Sequence, residues 1–241
     1  YGIHFDEGAC LEVTGGDRST LGYNNEFKFI GTLEDAKSAD KTKIQPSLIL
    51  PGGLSVTGGN DAVMSFTNAY VRIGNTSSKN SVANGTFTLN IDNSIAEFTD
   101  QLTFAEPKDG KNPTFNLKIT DSQVTTPKKL CIAAPNSNVI IDNSTVTLGT
   151  YLRNSGVLTL KNGSKLTGST IQFGENGGNN GTINVDASKL TITASSTGHA
   201  FDGKGTGLIN ATNGATVAVD YYKAMTIEVD ETSTFTGTEV Q

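Results

Sequence analysis

The chain has 241 residues, of which 35% are hydrophobic and 17% are charged, and its formal net charge is −6. A chain of this length folds as one domain or at most two, and it can bury a substantial core. The acidic charge argues against nucleic-acid binding, which needs a basic surface, and no run of about 18 apolar residues predicts a membrane span. Thr (33), Gly (27), Asn (22) and Ser (19) together supply 42% of the chain, so small polar residues dominate.

The N-terminal part is the least regular, and we predict that residues 1–50 form a cap in front of a repetitive domain at 51–241. The phrase Leu11-Glu-Val-Thr-Gly-Gly16 returns as Leu54-Ser-Val-Thr-Gly-Gly59. The recurrence indicates that the repeats begin in this region, so that residues 1–50 should hold one early coil as well as the cap.

A charged insertion lies between those two phrases. Residues 26–45 carry eight charged side chains in twenty positions. Thr32-Leu-Glu-Asp35 resembles a helix capping box, so a short helix is predicted to follow over residues 33–39. We expect this insertion to shield the open end of the core, because exposed sheet edges need cover. A lid or a partner contact is the alternative interpretation.

One phrase recurs through the rest of the chain: an apolar-polar-apolar run, a polar corner, a small residue and another apolar residue. Two copies are Ile119-Thr-Asp-Ser-Gln-Val124 and Ile141-Asp-Asn-Ser-Thr-Val146. The small residues recur at intervals of 18 to 28 residues. They are Ala69, Ser94, Ser122, Ser144, Ser164, Ser188, Ala215 and Ser233. A repeat of this length with alternating patterning is typical of a β-solenoid, in which each coil stacks on the next at about 4.8 Å.

The residue before each small residue is Asn, Asp or Gly in six of the eight copies. These residues enter the left-handed αL region at low cost, so each coil is predicted to turn one tight corner there. The six are Asn68, Asn93, Asp121, Asn143, Gly163 and Gly214. Ala187 and Thr232 are the exceptions, and we expect a different turn at both. Stacking should align the corner Asn residues into a ladder whose side-chain amides bond from coil to coil.

A second apolar marker ends another extended piece in several repeats, and a Gly- or Asn-rich loop of variable length follows it. The markers are Ile132, Leu152, Phe173 and Phe201. Each coil should therefore contain about three short strands, one tight corner and one loose loop. We predict an all-β fold, a single-stranded right-handed parallel β-helix of about 20–28 residues per coil. Its inward column should contain Ile91, Ile119, Ile141, Leu160 and Val185. A β-sandwich is the alternative, but it does not explain a corner repeated at one phase.

Two cysteines, Cys10 and Cys131, are too few and too far apart for a disulfide framework or a metal-ligand cluster. We expect two unpaired, buried thiols, no structural metal and no cofactor. The chain starts at Tyr1 rather than Met, and its polar composition fits an exported protein from which a signal peptide has been removed. We therefore expect a secreted or bacterial cell-surface location.

The repeated phrase, with Asn at its corner, resembles the right-handed parallel β-helix proteins of the pectin-lyase-like group. It also resembles the β-helix surface and adhesin-like proteins of bacteria, including gut Bacteroidetes. The resemblance spans about residues 50–241. It is specific for the fold and implies a choice of functions, because this fold carries lyases, hydrolases, adhesins and tail spikes.

The catalytic motifs that this resemblance would imply are incomplete. Polygalacturonase-like members carry Gly-His-Gly and Arg-Ile-Lys, whereas this chain has Gly198-His199-Ala200 and Arg72-Ile73-Gly74. Pectate-lyase-like members use Trp-containing motifs, and this chain has no Trp. Acidic residues such as Asp92, Asp142 and Asp186 follow apolar runs at turn positions, where we expect them to serve the turns. The sequence therefore favours a protein that is not an enzyme.

One group of residues on the loop side of the C-terminal half combines several chemistries, and we predict a ligand-binding site there. It comprises Tyr151, Arg153, Gln172, Glu175, His199 and Asp202. Variable loops on a rigid scaffold are where recognition usually lies. A neutral glycan would place its hydroxyls on Gln172, Glu175 and Asp202. Its sugar ring would lie on Tyr151. An acidic glycan would use Arg153 instead, but the net charge of −6 disfavours binding of an acidic ligand. Acid–base chemistry would need Glu175 and His199 in contact.

These features predict a binding or adhesive β-helix domain that acts as a monomer on a glycan or a partner surface. A long rigid rod with a Thr- and Asn-rich exterior and an incomplete catalytic set favours this function. A divergent polysaccharide lyase or glycoside hydrolase is one alternative, and a structural stalk within a larger surface protein is the other. A deep groove with convergent carboxylates would favour the enzyme, and a shallow face lined by Thr and Asn would favour binding.

Overall fold

The computed structural model describes most of the strands and corners of the chain. The described residues are 3–5, 10–12, 19–21, 26–30, 47–50, 54–56, 62–74, 76–77, 85–103, 110, 112–173, 181–193, 207–222 and 225–239. They are all-β: no helix occurs among them, and neighbouring strands pair in parallel. The helix predicted after Thr32 lies outside the described residues. Within this part of the chain, no helix is long and apolar enough to cross a membrane.

The described residues form 27 short strands, because a corner or a loop follows each apolar run. In chain order they are β1 (Ile3–Phe5), β2 (Cys10–Glu12), β3 (Ser19–Leu21), β4 (Glu26–Ile30), β5 (Ser47–Leu50), β6 (Leu54–Val56), β7 (Ala62–Thr67), β8 (Tyr70–Ile73), β9 (Thr76–Ser77), β10 (Thr86–Asp92), β11 (Ile95–Phe98), β12 (Leu102–Thr103), β13 (Thr114–Thr120), β14 (Gln123–Thr126), β15 (Leu130–Ile132), β16 (Asn138–Asp142), β17 (Thr145–Leu148), β18 (Tyr151–Asn154), β19 (Val157–Lys161), β20 (Lys165–Gly168), β21 (Thr170–Phe173), β22 (Thr182–Asp186), β23 (Lys189–Ile192), β24 (Gly207–Thr212), β25 (Thr216–Tyr222), β26 (Met225–Val229) and β27 (Thr234–Glu239).

The strands assemble into four parallel sheets, which we number from first to fourth. The first sheet has ten strands in the order β1-β4-β7-β10-β13-β16-β19-β22-β24-β26, and the second has ten in the order β2-β5-β8-β11-β14-β17-β20-β23-β25-β27. The third sheet is β12-β15-β18-β21, and the fourth is β3-β6-β9. Because neighbours in a sheet come from successive coils, the chain is a parallel β-solenoid, as the repeat predicted.

The core consists of aligned columns to which each coil contributes one residue. In the first sheet the five predicted inward residues pair in succession, from Ile91 to Val185, and all five are fully buried. Phe87 and Phe115 pair on the same two strands, four residues before Ile91 and Ile119, and their rings stack with centroids 5.9 Å apart. Burying such a side chain contributes about 1.5–3 kcal/mol relative to leaving it exposed. The alternating pattern therefore fixes the register, since a shift by one residue would turn a whole column outward.

The corners between the first and second sheets confirm the left-handed prediction. Positive φ angles occur at all the predicted corner residues: Asn68 (52°), Asn93 (43°), Asp121 (49°), Asn143 (44°), Gly163 (77°) and Gly214 (78°). The expectation of a different turn at Ala187 is wrong, because its φ is 45°. The position in the stack therefore imposes the αL conformation even on alanine, which lacks the short polar side chain that lets Asn and Asp adopt it at low cost. Thr232 does differ, since it is not among the described residues with positive φ.

The corner side chains form hydrogen bonds from coil to coil, as predicted for the Asn ladder. The Nδ2 of Asn93 donates to the Oδ1 of Asn68 over 2.6 Å. Elsewhere the acceptor is a carboxylate: the amides of Asn143, Asn162 and Asn213 donate to aspartates of the preceding coils. Two of these aspartates, Asp142 and Asp186, therefore serve the turns in the way that the sequence predicted.

A column of buried serines follows the corners, and its hydrogen bonds were not foreseen from the sequence. The backbone N–H of each small residue donates to the hydroxyl one coil further on, from Ala69 to Ser94, Ser122, Ser144, Ser164 and Ser188, over 2.9–3.1 Å. Four of these hydroxyls donate in turn to a backbone carbonyl two or three residues earlier. Each of these buried hydroxyls thus both accepts and donates, which satisfies a buried amide in every coil.

The third sheet has a register that differs from the one that the apolar markers predicted. Ile132 and Phe173 occupy the same inward position, but the residue between them is Asn154 and not Leu152. Leu152 instead aligns with Leu130, two residues earlier in the strand. Asn154 is fully buried, and it is tolerated there because its Nδ2 donates to the carbonyl of Thr182 and its Oδ1 accepts from an amide. The fourth marker, Phe201, lies outside the described residues.

The N-terminal strands continue the same sheets, but the two repeated phrases do not stack on each other. Leu11 lies in β2 and pairs with Leu48 in the second sheet, whereas Leu54 lies in β6 and pairs with Ser19 in the fourth. The likeness of the two phrases therefore does not reflect a common position in the coil.

The two cysteines lie in different parts of the stack. Cys131 is a free thiol in β15 and is fully buried. Cys10 lies in β2, four strand steps along the second sheet from β14, the strand that leads into β15. Four steps amount to roughly 19 Å at the spacing of about 4.8 Å between strands. A disulfide needs Cα atoms within about 7 Å, so these two residues cannot form one.

Candidate functional site

The structure brings together half of the predicted site residues. Tyr151 and Arg153 lie on β18, and Gln172 lies beside Arg153 on the neighbouring strand β21. Glu175, His199 and Asp202 lie outside the described residues. The predicted contact between Glu175 and His199 therefore stays a prediction.

The three described residues point away from the core, on the outer side of the third sheet. Their strand alternates between half-buried outward side chains, Tyr151 and Arg153, and fully buried inward ones, Leu152 and Asn154. Gln172 follows the same alternation on β21. We call the surface formed by Lys129, Tyr151, Arg153 and Gln172 the third-sheet face. Neighbouring strands hold its side chains about 4.8 Å apart along the stack.

Arg153 is fixed by two contacts on this face. Its Nε donates to the Oε1 of Gln172 over 3.2 Å, and its guanidinium carbon lies 5.5 Å from the ring centroid of Tyr151. Both contacts constrain the planar group: the first sets its edge and the second its position over the ring. Arg153 is therefore held on a rigid sheet, and its side chain is placed before any ligand arrives.

Lys129 completes the face, and the sequence prediction missed it. It precedes β15 directly, and its Nζ lies 5.6 Å from the ring centroid of Tyr151. Lys129 and Tyr151 are 22 residues apart, the same interval that separates Ser122 from Ser144. The coil length could therefore have identified this neighbour. The preceding residue, Lys128, forms a salt bridge with Asp100 instead.

The two cations beside the ring of Tyr151 determine which groups of a ligand this face can contact. Cation–π attraction holds Lys129 and Arg153 near Tyr151, but the ring carries no net charge that could neutralise them. The predicted use of Tyr151 as an open stacking surface is therefore restricted to the part of the ring that the cations leave uncovered. The face can offer N–H donors, a phenol hydroxyl and an amide to a ligand.

In the same register column as Arg153, one and two strands away, lie two buried polar groups. Thr103 pairs with Cys131, and Cys131 pairs with Arg153. Thr103 is 1% exposed, and its Oγ1 has no hydrogen-bond partner among the described residues. Because Cys131 is fully buried, its thiol is not placed to act as a nucleophile on a ligand at the surface.

The outer side of the first sheet carries a groove and a smaller depression. A groove of about 550 Å³ lies over β19, β22, β24 and β26. Its polar lining includes Thr159, Asn184, Asp186, Asn210, Glu228 and Asp230. We call it the first-sheet groove. A second depression of about 330 Å³ lies over β7, β10 and β13 and contains Lys118 beside Asp92. Sequence reasoning assigned Asp186 to a turn and did not foresee either depression.

A carboxylate in the first-sheet groove stays ionised well into the acid range. The backbone amide of Asn213 donates to Asp230 over 2.8 Å, and the amide and hydroxyl of Thr232 donate to its other oxygen. These donors, with the Asn213 amide contributing most, lower the pKa of Asp230 to about 2. In the same groove, Asp186 accepts from the side chain of Asn213.

Another polar pair, on the outer side of the second sheet, is locked rather than reactive. The hydroxyl of Tyr70 donates to Glu97 over 2.9 Å, and the Tyr70 side chain is 8% exposed. Burial, and then the hydrogen bond to Glu97, raise the pKa of Tyr70 to about 12. The phenol therefore holds its proton at neutral pH and serves as a structural donor. Among the described residues, no group of three or more potential metal ligands is placed to hold an ion.

Comparisons of the chain with protein-family models, with curated proteins and with solved structures found no match. The fold and the geometry of the surface are therefore the basis for assigning a function.

Proposed function

We propose that this chain is a glycan-binding module in which the solenoid is the scaffold and the third-sheet face is the recognition surface. The observation that carries the proposal is the arrangement of Lys129 and Arg153 around the ring of Tyr151, with Arg153 hydrogen-bonded to Gln172. An aromatic ring, an amide and cationic donors on one surface are the groups that recognise sugar rings and their substituents.

The rigidity of the scaffold supports a binding role. Strand β18 pairs in parallel with β15 on one side and with β21 on the other. This pairing fixes the backbone under the face. The serine column and the corner ladder fix the adjacent corners of the coils. A ligand that binds such a surface does not have to order it first, so less of the interaction free energy is lost on binding.

Location, family and assembly are further parts of this proposal. The likeness of the repeat to pectin-lyase-like and bacterial adhesin-like β-helix proteins supports an exported bacterial protein displayed at the cell surface. Corresponding strands of successive coils stack in parallel sheets, which supports a likeness in fold. We propose that the module acts as a monomer and that a partner surface bearing glycans is its target.

A divergent polysaccharide lyase or glycoside hydrolase is the alternative function. Its acid–base candidates are Glu175 and His199, with Asp202 nearby in the sequence, and all three lie outside the described residues. A glycan array of neutral and acidic polysaccharides tests the two functions together. Each bound polysaccharide would also be incubated with the protein and assayed for new reducing ends and for unsaturated products.

The variant that tests the site is Arg153→Ala, and Lys189→Ala is its matched control. Lys189 is an exposed residue of β23 in the second sheet, so its removal changes the net charge equally but leaves the third-sheet face intact. We expect a bound glycan to be lost from Arg153→Ala and retained by Lys189→Ala, with unchanged circular dichroism in both. Equal binding by both variants would contradict the site, and steady product release would replace the binding function with the enzymatic one. An array without any bound glycan would favour a structural stalk.

A further inference from the structure

The first-sheet groove differs from the third-sheet face in the chemistry of its polar groups. Asn184, Asn210 and Glu228 occupy one aligned outward column on β22, β24 and β26. Asp186 lies two residues beyond Asn184, and Asp230 follows β26 directly. All of these residues line the groove, and the part of its lining that the structure describes contains neither lysine nor arginine. The smaller depression on the same sheet does contain a lysine, Lys118.

The hydrogen bonds along the groove leave one acceptor unfilled. The Nδ2 of Asn210 donates to the Oδ1 of Asn184 over 2.9 Å, and the Nδ2 of Asn184 is 3.5 Å from the hydroxyl of Thr159. The Oδ1 of Asn210 is buried and has no hydrogen-bond partner among the described residues. A buried acceptor without a donor costs about 1–3 kcal/mol unless something supplies the missing hydrogen bond. The described lining of the groove therefore combines one unfilled acceptor with three carboxylates and no cationic side chain.

We propose that the first-sheet groove is a second binding site and that its ligand is a sugar that carries an ammonium group. An ammonium group supplies three N–H donors to these acceptors, together with the positive charge that the described lining of the groove does not contain. The hydroxyls of the sugar can donate to the remaining carboxylate oxygens. The ammonium requirement rests on the groove alone, whereas the choice of a sugar rests on the proposed glycan-binding function.

A small metal ion fits the same groove less well. No three potential metal ligands among the described residues come close enough together to hold one ion. Two of the carboxylates also have other partners, because Asp186 accepts from Asn213 and Asp230 accepts from Asn213 and Thr232. An extended organic cation can contact carboxylates that are one or two strand spacings apart, and a bare ion cannot.

The test compares two oligosaccharides that differ only at the sugar nitrogen: a β-1,4-linked glucosamine oligomer, which carries ammonium groups, and its N-acetylated counterpart of equal length, which carries neutral amides. Titration calorimetry at pH 6 measures the binding of both to the whole chain. We expect the amine oligomer to bind, its affinity to fall as salt is raised, and the acetylated oligomer to bind at least about tenfold more weakly, as loss of a charge-assisted hydrogen bond predicts. Equal binding of the two oligomers, or no binding of the amine oligomer, would overturn the proposal.

Glu228 is the residue to change, and Glu231 is its matched control. Both side chains are exposed and lie on the last coil, but only Glu228 lines the groove. We expect Glu228→Gln to weaken binding of the amine oligomer about three- to tenfold and Glu228→Lys to abolish it, because the second change places a cation beside the ligand. Glu231→Lys should change the affinity less than about twofold. Equal losses in the two lysine variants would mean a general charge effect and no site.

Arg153→Ala separates this inference from the proposed function. If the amine oligomer binds and Arg153→Ala leaves its affinity unchanged, the first-sheet groove is a site of its own. If that variant abolishes binding of the amine oligomer, the ligand lies on the third-sheet face and the groove proposal is wrong. If array glycans bind through Arg153 while the amine oligomer does not bind at all, the groove proposal fails and glycan binding by the module stands.

Discussion

The backbone amide of Ser122 donates a hydrogen bond of 3.0 Å to the hydroxyl of Ser144, which lies one coil further along the stack. That hydroxyl donates in turn to the carbonyl of Asp142 over 2.6 Å. Both serines are at most 4% exposed, so water does not replace these bonds. The bond therefore joins two coils at the point where the chain turns its tight corner, and it repeats along the stack.

We predict that Ser144→Ala destabilises the protein by about 1–3 kcal/mol, because it leaves the buried amide of Ser122 without its acceptor. Ser155→Ala is the matched control: Ser155 is also buried, but its Oγ has no hydrogen-bond partner among the described residues. Removing that hydroxyl should leave stability unchanged or raise it. Urea unfolding followed by circular dichroism measures both. Equal destabilisation by the two changes would contradict a stabilising role for the serine column.

The corners could be predicted from the sequence because two local preferences agree there. Apolar alternation places the strands, and Asn, Asp or Gly marks the αL corner between them, which holds two residues of positive φ at Asn162-Gly163 and at Asn213-Gly214. Ala187 shows the limit of that reasoning, since its φ is 45° although alanine does not prefer αL. Its neighbours in the stack fix the conformation: its amide donates to the carbonyl of Thr212, and its carbonyl accepts from Gly163. Tertiary hydrogen bonds override the local preference at that residue.

We predict that Ala187→Gly stabilises the protein by about 1 kcal/mol, because glycine adopts positive φ without the steric cost that a Cβ atom brings. Ala218→Gly is the control, since Ala218 lies within strand β25 and glycine weakens a strand. The two changes should therefore shift the thermal midpoint in opposite directions. Differential scanning calorimetry measures both shifts, and destabilisation by Ala187→Gly would show that the αL strain at this corner is relieved in some other way.

Two glycines test conformation and space separately. Gly163 has a φ of +77°, and a Cβ atom there would meet nothing within 4 Å. A Cβ on Gly156 would lie 2.3 Å from the carbonyl oxygen of Ser137. Gly163→Val should therefore cost about 1–2 kcal/mol through backbone strain alone. Gly156→Ala, although the smaller change, should cost more, because the backbone of the adjacent coil must move. Denaturant unfolding ranks the two, and the opposite order would contradict this assignment.

The candidate site was less predictable than the corners, because it depends on which residues become neighbours across coils of unequal length. Tyr151, Arg153 and Gln172 could be grouped from the sequence since they lie in successive coils. Lys129 was missed although it lies one coil before Tyr151. The wrong alignment of Leu152 with Ile132 had a similar cause: the register follows strand pairing and not the nearest apolar residue. The groove on the first sheet could not be read from single residues, because aligned side chains of several coils create it.

The thiol of Cys131 provides a test of packing in the third sheet. It is fully buried and is not part of a disulfide, and its strand pairs with β12 and β18 on either side. We predict that iodoacetamide modifies Cys131 only when the protein unfolds, so peptide mass spectrometry should find it unlabelled in buffer and labelled in denaturant. Labelling should also occur without prior reduction, because Cys10 is too distant to form a disulfide with it. Rapid labelling in buffer would contradict the burial.

The last prediction concerns the carboxylate that closes the C-terminal corner. The pKa of Asp230 is lowered to about 2, chiefly by the backbone amide of Asn213 and also by Ser233 and Thr232. Because the folded-state pKa lies below the value of about 3.9 for an unfolded aspartate, ionised Asp230 stabilises the fold above about pH 4. That contribution is lost as the pH falls through about 2, since the protonated group accepts these bonds less well.

We therefore expect the amides of Asn213 and Thr232, which donate to Asp230, to lose protection from hydrogen exchange between about pH 4 and pH 2. NMR spectra recorded through that range would show the change and give the pKa of the carboxyl group directly. In Asp230→Asn the same two amides should show weaker protection at pH 5 and no further transition over this interval, because the substituted side chain does not titrate. A transition of equal size in the variant would mean that another carboxylate controls the corner, and a measured pKa near 4 in the unaltered protein would show that the three donors do not act on Asp230 in solution.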